Sequence, residues 1–452
     1  MEDLIYQMLK GKKRSETEHE SLIYKASLEL SESYDIVFEN DRLIPDLNMA
    51  NRLYDAAVDL LDEVGIFCME TDRVINVNKD ELRRSVRNAP LSFNTGTGAE
   101  TTLLSCRHVL DERIPHIVGG PAGTSISPEL FIPVHRSCAK VNMVNAISPG
   151  SLSNLDARPY IKDNPLNIFE AQKGVNLVKE SCRFEGRSGI CCFTPPFVDD
   201  VKAAISIANS NFMGAGDLQE LFPLPSLKSD FSRLARVVHY RGIGTYYGAT
   251  TYMILGAMTS AIPEQFTIQI VAEMLKSRFL YSAPLVYIHP STLKTSASRS
   301  IEVLWSIFMA FMSLSRNTNI IHGMTLENSS GPCTESSMYE TAVQTIGATV
   351  CGADSLCGPV LNKGSAVNHA AGLESLFMGK VAEFSTSLSL EDANYLCLEI
   401  FNKYADQKPE PGKSFDECYD VRKIQPTDEY YRIYDTAMRQ IYELMGARLD
   451  HS

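Results

Sequence analysis

The residues best suited to chemistry lie in three short segments. The first runs Gly119-Gly120-Pro121-Ala122-Gly123-Thr124-Ser125-Ile126-Ser127 and continues to Phe131-Ile132-Pro133-Val134-His135. Three glycines after an apolar run leave a backbone that a ligand or partner can approach closely, because no Cβ stands in the way. A tight strand-to-helix connection would use the same residues. The second segment runs Ile320-Ile321-His322-Gly323-Met324-Thr325-Leu326-Glu327, followed by Gly331-Pro332-Cys333-Thr334-Glu335. A strand ending in a polar, glycine-rich loop before a helix is how α/β barrels build active sites, although a solvated loop reads the same way. The third, Gly412-Lys413-Ser414-Phe415-Asp416-Glu417-Cys418-Tyr419-Asp420-Val421, reads as structural.

The familiar catalytic signatures are missing. The sequence has no phosphate-binding loop, no Rossmann glycine fingerprint after a strand, no HExxH pair and no GxSxG elbow. Their absence removes the commonest nucleotide, zinc-protease and serine-hydrolase chemistries. His239, His289, His322, Cys191, Cys192 and Cys333 sit at or near predicted strand ends, where a barrel would place metal ligands. No two of them have a metal-binding spacing, and buried cysteine is common without any role. Zinc-assisted chemistry stays open as an alternative, with no metal site assigned.

These segments need elements to position them. From about residue 115 short apolar runs alternate with longer helical patterns. Strands are predicted at His116–Gly119, Gly189–Phe193, His239–Tyr246, Leu285–His289, Asn319–His322 and Ser355–Gly358. Helices are predicted at Gln265–Phe279, at Ser300–Ser315, which is apolar nearly all round as a buried helix would be, and at Glu335–Val350. Repeated β–α units imply a mostly parallel sheet, and this many favour a closed TIM (β/α)8 barrel over an open sheet.

Helical extensions flank the barrel. Asp46 is a candidate N-cap for a helix whose Leu53, Tyr54, Ala57, Leu60, Leu61 and Val64 share one face, with Gly65 as its stop. Residues 1–45 are polar and weakly periodic. At the other end, Lys408-Pro409-Glu410-Pro411-Gly412 cannot continue a helix. Beyond it Tyr431, Tyr434, Met438, Ile441 and Met445 form an apolar stripe that ends at Gly446. The expected division is a helical extension at 1–60, a barrel at 61–409, and a tail and helix at 410–452 packed on the barrel or on a neighbouring subunit.

Bulk properties restrict the partners. The 452 residues carry a net charge of −13, which repels a phosphate backbone and argues against nucleic acid. Met1-Glu2-Asp3-Leu4 places acids where a secretory signal needs positive charge. The apolar stretch Val303–Leu314 is interrupted by Ser306 and is too short to span a bilayer. The 11 scattered cysteines form no CxxC pair and read as reduced thiols. A cytoplasmic protein away from the membrane is expected.

Taken together, the segments resemble the monomethylamine methyltransferase family of methanogens. The resemblance lies in Gly-Gly-Pro-x-Gly-x-x-Ile-Ser from Gly119, Phe131-x-Pro-Val-His135, His239-Tyr240 and Gly331-Pro-Cys-Thr-Glu335. It continues through Gly372-x-Glu374, Met378-Gly379-x-Val381-Ala382, the segment from Gly412 to Val421, and Pro426-Thr427-x-Glu429-Tyr430. It runs from about Leu53 to the end, is weak before residue 40, and is patchy across 195–320. The resemblance implies a TIM barrel, a homo-oligomer, and methyl transfer from a small methylated amine to Co(I) of a separate corrinoid protein. It implies no tightly bound cofactor in this chain.

The departures fall at the site. The family's pyrrolysine ends a strand after a Gly-Arg-x-Gly segment; here Gly186-Arg187-Ser188-Gly189 leads to Phe193 in that position, followed by Thr194-Pro195-Pro196. Of the residues around the pyrrolysine ring in the family, one glutamate matches Glu220, a second falls on Thr250, a glutamine on Thr325 and a tyrosine on Glu327. The expected site therefore has Glu220 and Glu327 as catalytic carboxylates, with Phe193, Thr250, Thr325 and His322 binding the donor. Phe193 is expected to line the pocket together with Tyr246, Tyr247 or Tyr252. No standard side chain supplies pyrrolysine's imine, so the expected donor is a quaternary or other N-methyl compound in place of monomethylamine. A non-catalytic homologue that binds a small ligand or the corrinoid protein is the alternative.

Overall fold

The apolar runs are buried on both faces, as parallel strands covered by helices are. The computed structural model describes residues 2–152, 161, 164–193, 200–257, 260–293 and 299–451. Eight of its strands form one parallel sheet: β1 (His116–Gly119), β2 (Ala146–Ile147), β3 (Cys191–Cys192), β4 (Leu218–Leu221), β5 (Tyr246–Leu255), β6 (Leu285–Thr292), β7 (Ile321–Glu327) and β8 (Ser355–Val360). Their order is β4-β5-β6-β7-β8-β1-β2-β3. The remaining gap, between β3 and β4, is bridged by a parallel pairing of Phe193 with Leu218. Each strand is followed by a helix: α1 (Pro128–Ala139), α2 (Pro165–Phe184), α3 (Val201–Ile207), α4 (Phe231–Ile243), α5 (Pro263–Tyr281), α6 (Ile301–Asn317), α7 (Glu335–Val350) and α8 (Gly372–Ser385). The fold is a TIM (β/α)8 barrel.

The barrel is filled from below. An antiparallel hairpin, Ser92–Thr95 with Thr102–Ser105, sends Phe93 and Leu104 into the interior beside Val118, Ala146, Cys191, Leu218, Leu285 and Ile321. Thr95 Oγ1 lies 3.1 Å from His116 Nε2, which fixes the hairpin to the start of β1. The N-terminal end of the barrel interior is thus packed with side chains, and the interior opens toward the other end.

Helical extensions explain the all-round apolar character of the barrel helices. Helices Glu16–Ser33 and Ala50–Val64 pack on α5, and Ala50–Val64 also packs on α6. Helices Leu390–Phe401 and Asp428–His451 cover α7. Each covered helix is pressed between the strands and an outer layer, and α5 is buried at every residue from Gln265 to Tyr281. The helix predicted at Ser300–Ser315 occupies Ile301–Asn317, with Ser300 as its N-cap.

Some boundaries differ from expectation. His239–Tyr246 is not a strand: α4 runs through it to Ile243, Gly244 ends the helix at φ 69°, and β5 begins at Tyr246. Leu234, Val237 and Tyr240 recur every three residues and bury one helical face, a period that the aromatic run obscured. The strand expected at Asn319–His322 starts at Ile321 and continues to Glu327. Residues 1–45 contain two helices, Glu2–Lys10 and Glu16–Ser33, and the last helix passes through Gly446 to His451. Asp46 caps a short 3-10 turn, Leu47–Met49, just before its expected helix.

Two of the three singled-out segments hold each other. Gly331 N donates to Glu410 O (2.8 Å) and Lys413 N to Pro332 O (3.0 Å). A Cβ on Gly331 would stand 2.0 Å from Pro411 O, so only glycine permits the contact. All eleven cysteines are free. No described helix is long and apolar enough to cross a membrane.

Glu374 in the first turn of α8 is buried, and among the described residues neither carboxyl oxygen has a hydrogen-bond partner. Burial pushes its pKa from 4.5 up to about 8. The folded chain therefore keeps a proton that the unfolded chain releases above pH 4.5, and stability falls as pH rises from there to 8. Glu374→Gln is expected to raise stability by a few kcal/mol at pH 8 and to change it little at pH 4, read from urea unfolding at both values. A gain that is equal at the two pH values would show that the carboxyl is not held protonated.

Candidate functional site

Alternation along the strands decides what faces the barrel axis. The inward residues are Leu218 and Glu220 on β4, Gly248, Thr250 and Tyr252 on β5, and Leu285, Tyr287 and His289 on β6. On β7 and β8 the series continues with Ile321, Thr325 and Cys357. The lower members pack the interior. The upper ones, Glu220, Thr250, Tyr252, His289, Thr325 and Cys357, line a cavity of about 430 Å³ at the C-terminal end. Ala122 and Gly123 of the first glycine-rich segment close one side of it.

The cavity is acidic and aromatic. Glu220 is only 4% exposed and accepts a hydrogen bond from the Thr250 hydroxyl. Across the barrel, His289 Nε2 lies 3.3 Å from Glu327 Oε1. Glu327 is held in place by its own backbone, whose N–H donates to Gln344 Oε1 on α7 (3.0 Å). Tyr252 stacks on His289 with centroids 4.3 Å apart, and Phe222 stacks on Tyr252 at 5.7 Å. Burial, and after it the charge of Glu220, pushes the Cys357 thiol up to about 12, so it remains protonated and non-nucleophilic. Arg233 also reaches the cavity, where its guanidinium pairs with Asp230 and donates to Phe222 O.

One wall is a loop, Phe222-Pro223-Leu224-Pro225, and a buried ion pair holds it. Lys276 and Glu273 of α5 meet at 2.5 Å with essentially no exposure. Glu273 Oε1 accepts from Leu227 N (2.6 Å), while Lys276 Nζ donates to Leu224 O (2.5 Å) and Lys228 O (3.2 Å). Burial lowers the Lys276 pKa even with Glu273 beside it. The N-terminal extension grips the same loop: Lys228 pairs with Glu16 at 2.6 Å and with Glu20, and His19 Nε2 lies 3.2 Å from Ser226 O.

The expected site residues separate into three groups. Glu220, Thr250 and Thr325 line the cavity, and Glu327 stands behind His289 at its edge. Phe193 does not line it. Its ring is 1% exposed, 5.5 Å from the Tyr287 ring, and a Cβ on Gly248 would meet it at 3.0 Å. Phe193 thus packs one layer below Glu220 and Thr250, where the missing side chain of Gly248 leaves room for its ring. His322 is also misplaced by the sequence reading. It lies between Ile321 and Gly323 and therefore points outward, where its ring meets Phe311 of α6 and Nδ1 lies 3.2 Å from Asp354 Oδ2. Thr194-Pro195-Pro196 lie outside the described residues.

Of the three tyrosines, only Tyr252 reaches the cavity. Tyr247 points outward and donates to Tyr281 O, and Tyr246 stacks on Phe93 at the far end of β5. His289 had been weighed only as a zinc ligand, yet its spacing of two from Tyr287 places it on the inward face. His239 lies on α4, 3.4 Å from Ala208 O. Among the described residues, no three His, Cys, Asp or Glu side chains gather as metal ligands.

Comparison with known proteins gives one consistent result. A family model described as monomethylamine methyltransferase MtmB matches residues 2–446. Monomethylamine methyltransferase MtmB1 of Methanosarcina acetivorans is 29% identical over 421 residues, covering 92% of each chain. Its counterpart in Methanosarcina mazei is 29% identical over 424 residues with the same coverage. The crystal structure of the Methanosarcina barkeri enzyme and that of a hydroxylamine MtmB complex each align with a TM-score of 0.94 at 28% identity. Both alignments cover 98% of this chain and 97% of the other.

Glu273→Gln keeps the size and the hydrogen-bond acceptor of the wall-holding pair but leaves Lys276 as an uncompensated buried charge. It is expected to destabilise the fold by about 3–5 kcal/mol in urea unfolding. A loss under about 1 kcal/mol would show that the pair does not hold the loop.

Proposed function

The chain belongs to the monomethylamine methyltransferase MtmB family, and on that premise we propose that it transfers a methyl group from a methylated amine other than monomethylamine to Co(I) of a separate corrinoid protein. The observation that carries this reading is the buried carboxylate of Glu220 at the barrel mouth, facing a wall made by Tyr252, Phe222 and His289. Carboxylates and aromatic faces together suit an ammonium cation. A cavity of about 430 Å³ accommodates a small donor and is far too small for a corrinoid, which would stay with its own protein.

The argument for the donor class starts from Phe193. Protonated monomethylamine is a poor methyl donor, and the family captures it with the pyrrolysine imine. Phe193 offers only carbon and is buried below the cavity. A quaternary ammonium has no N–H proton to lose, stays cationic at every pH and leaves as a neutral tertiary amine, so it needs no covalent capture. Glu220 and Glu327 balance its charge, the aromatic wall orients its methyl groups, and the burial of the site keeps water from the reaction. Corrinoid Co(I) supplies the nucleophile. The placement of Phe193 in the core also favours a second reading, a homologue that binds its ligand without turning it over.

The test uses purified protein with a reduced corrinoid protein. Methyl transfer from a quaternary donor and none from monomethylamine is expected; turnover of monomethylamine would overturn the reading. Binding without any transfer would support the non-catalytic alternative. Glu220→Gln should lower the affinity for tetramethylammonium at least about tenfold in calorimetry. A unit charge at about 4 Å and an effective dielectric near 20 is worth about 4 kcal/mol before desolvation.

A further inference from the structure

His289 has surroundings that cation binding alone does not require. Its Nε2 is buried 3.3 Å from Glu327 Oε1 and, among the described residues, has no hydrogen-bond partner. Glu327 Oε2 beside it is also buried without a partner. Tyr252 covers one imidazole face at an interplanar angle of 26°, so the ring is held edge-on to the cavity it lines. Leaving buried polar atoms unpaired is costly, and an occupant able to bond to them recovers that cost. Imidazole beside a carboxylate is the standard side-chain arrangement for moving a proton near neutral pH.

We propose that His289 gives a proton to the amine that departs as its methyl group is taken, and that its Nε2 then accepts the N–H of the ammonium so formed. This rests on the methylated-amine reading above. In a quaternary donor the N–CH3 bond breaks with its electron pair left on nitrogen. The methyl leaves as a cation equivalent to the Co(I) of the corrinoid partner, which supplies the electron pair of the new bond. The nascent tertiary amine keeps a lone pair aimed at the methyl it has lost. The Nε2–H bond of the imidazolium then breaks, an N–H bond forms on the amine, and His289 becomes neutral. An amine protonated in this way has no lone pair with which to take the methyl back.

Charge balance favours the exchange. Glu327 faces His289 from β7, and Glu220, Arg233, Tyr252 and Cys357 share the cavity. One positive charge moves from imidazole to amine, and the total among these groups does not change. Glu327 stabilises the imidazolium before the transfer and the ammonium after it.

Two probes of the same charge and similar size separate this role from simple cation binding: trimethylammonium, which carries one N–H, and tetramethylammonium, which carries none. Calorimetry on the wild-type protein at pH 8 should show trimethylammonium bound at least about tenfold more tightly, the effect of one charge-assisted hydrogen bond. His289→Phe keeps a ring against Tyr252 but has no nitrogen, and should bind the two ions alike. His289→Gln restores an acceptor and should recover part of the preference. With a quaternary donor and a reduced corrinoid protein, methyl transfer in His289→Gln should be about 10²-fold slower than in the wild type. Equal affinity of the wild type for the two ions, or an unchanged preference in His289→Phe, overturns the proposal. Failure of the wild type to bind either ion overturns the cation-site reading itself.

Discussion

Side chains on a strand point alternately to two faces, and closing the strands into a barrel makes one of those faces the inside. That constraint governs most of this molecule. It stacks Glu220 above Leu218, Thr250 above Gly248 and His289 above Tyr287, so apolar packing below and a polar cavity above come from the same strands. It also explains why so few positions are available for function. Each strand offers one or two inward residues near its C-terminal end, and a group displaced by a single residue is delivered to the helix layer. His322 is such a group: one residue from Gly323, it contacts α6 and Asp354.

The strands alone do not complete the cavity. One wall is the loop after β4, which has little backbone structure of its own and includes two residues at positive φ, Ser226 and Leu227. Its shape is imposed by Glu273 and Lys276 beneath it and by Glu16, His19 and Glu20 beside it. The N-terminal extension is therefore part of the site at one remove. Burial of the Glu273–Lys276 pair is costly in itself, and the pair is retained where it also satisfies the backbone groups of a bent loop.

Much of this was legible in the sequence wherever a single period dominated. Ser300–Ser315 read as a buried helix because it is apolar all round, and the second layer of helices is the reason. Glu220, Thr250 and Thr325 were found through the family resemblance, and all three line the cavity. Phe193 was found in the same way, but its depth was not. Residue type at a strand end does not tell whether the ring rises into the cavity or drops into the core. That depends on Gly248 opposite, whose missing side chain makes room for the ring. His289 and Tyr252 could have been assigned by counting in twos from Tyr287 and Thr250. The N-terminal helices were illegible because Glu16–Ser33 is weakly amphipathic, and its role lies in polar contacts to a distant loop.

The depth of Phe193 shapes the chemistry left to the rest of the barrel. Its backbone joins β3 to β4, and its ring ends against Gly248 and near Tyr287, below the level of Glu220. Among the described residues, β3 presents no functional group to the cavity. Among the described residues, the acids at the mouth stand on β4 and β7, with the imidazole between them on β6. On the function proposed above, activation of the donor does not pass through a covalent bond to β3, where Phe193 offers only carbon. On that same reading it draws on charge already present on the donor and on the proton transfer proposed for His289, on the opposite side of the barrel.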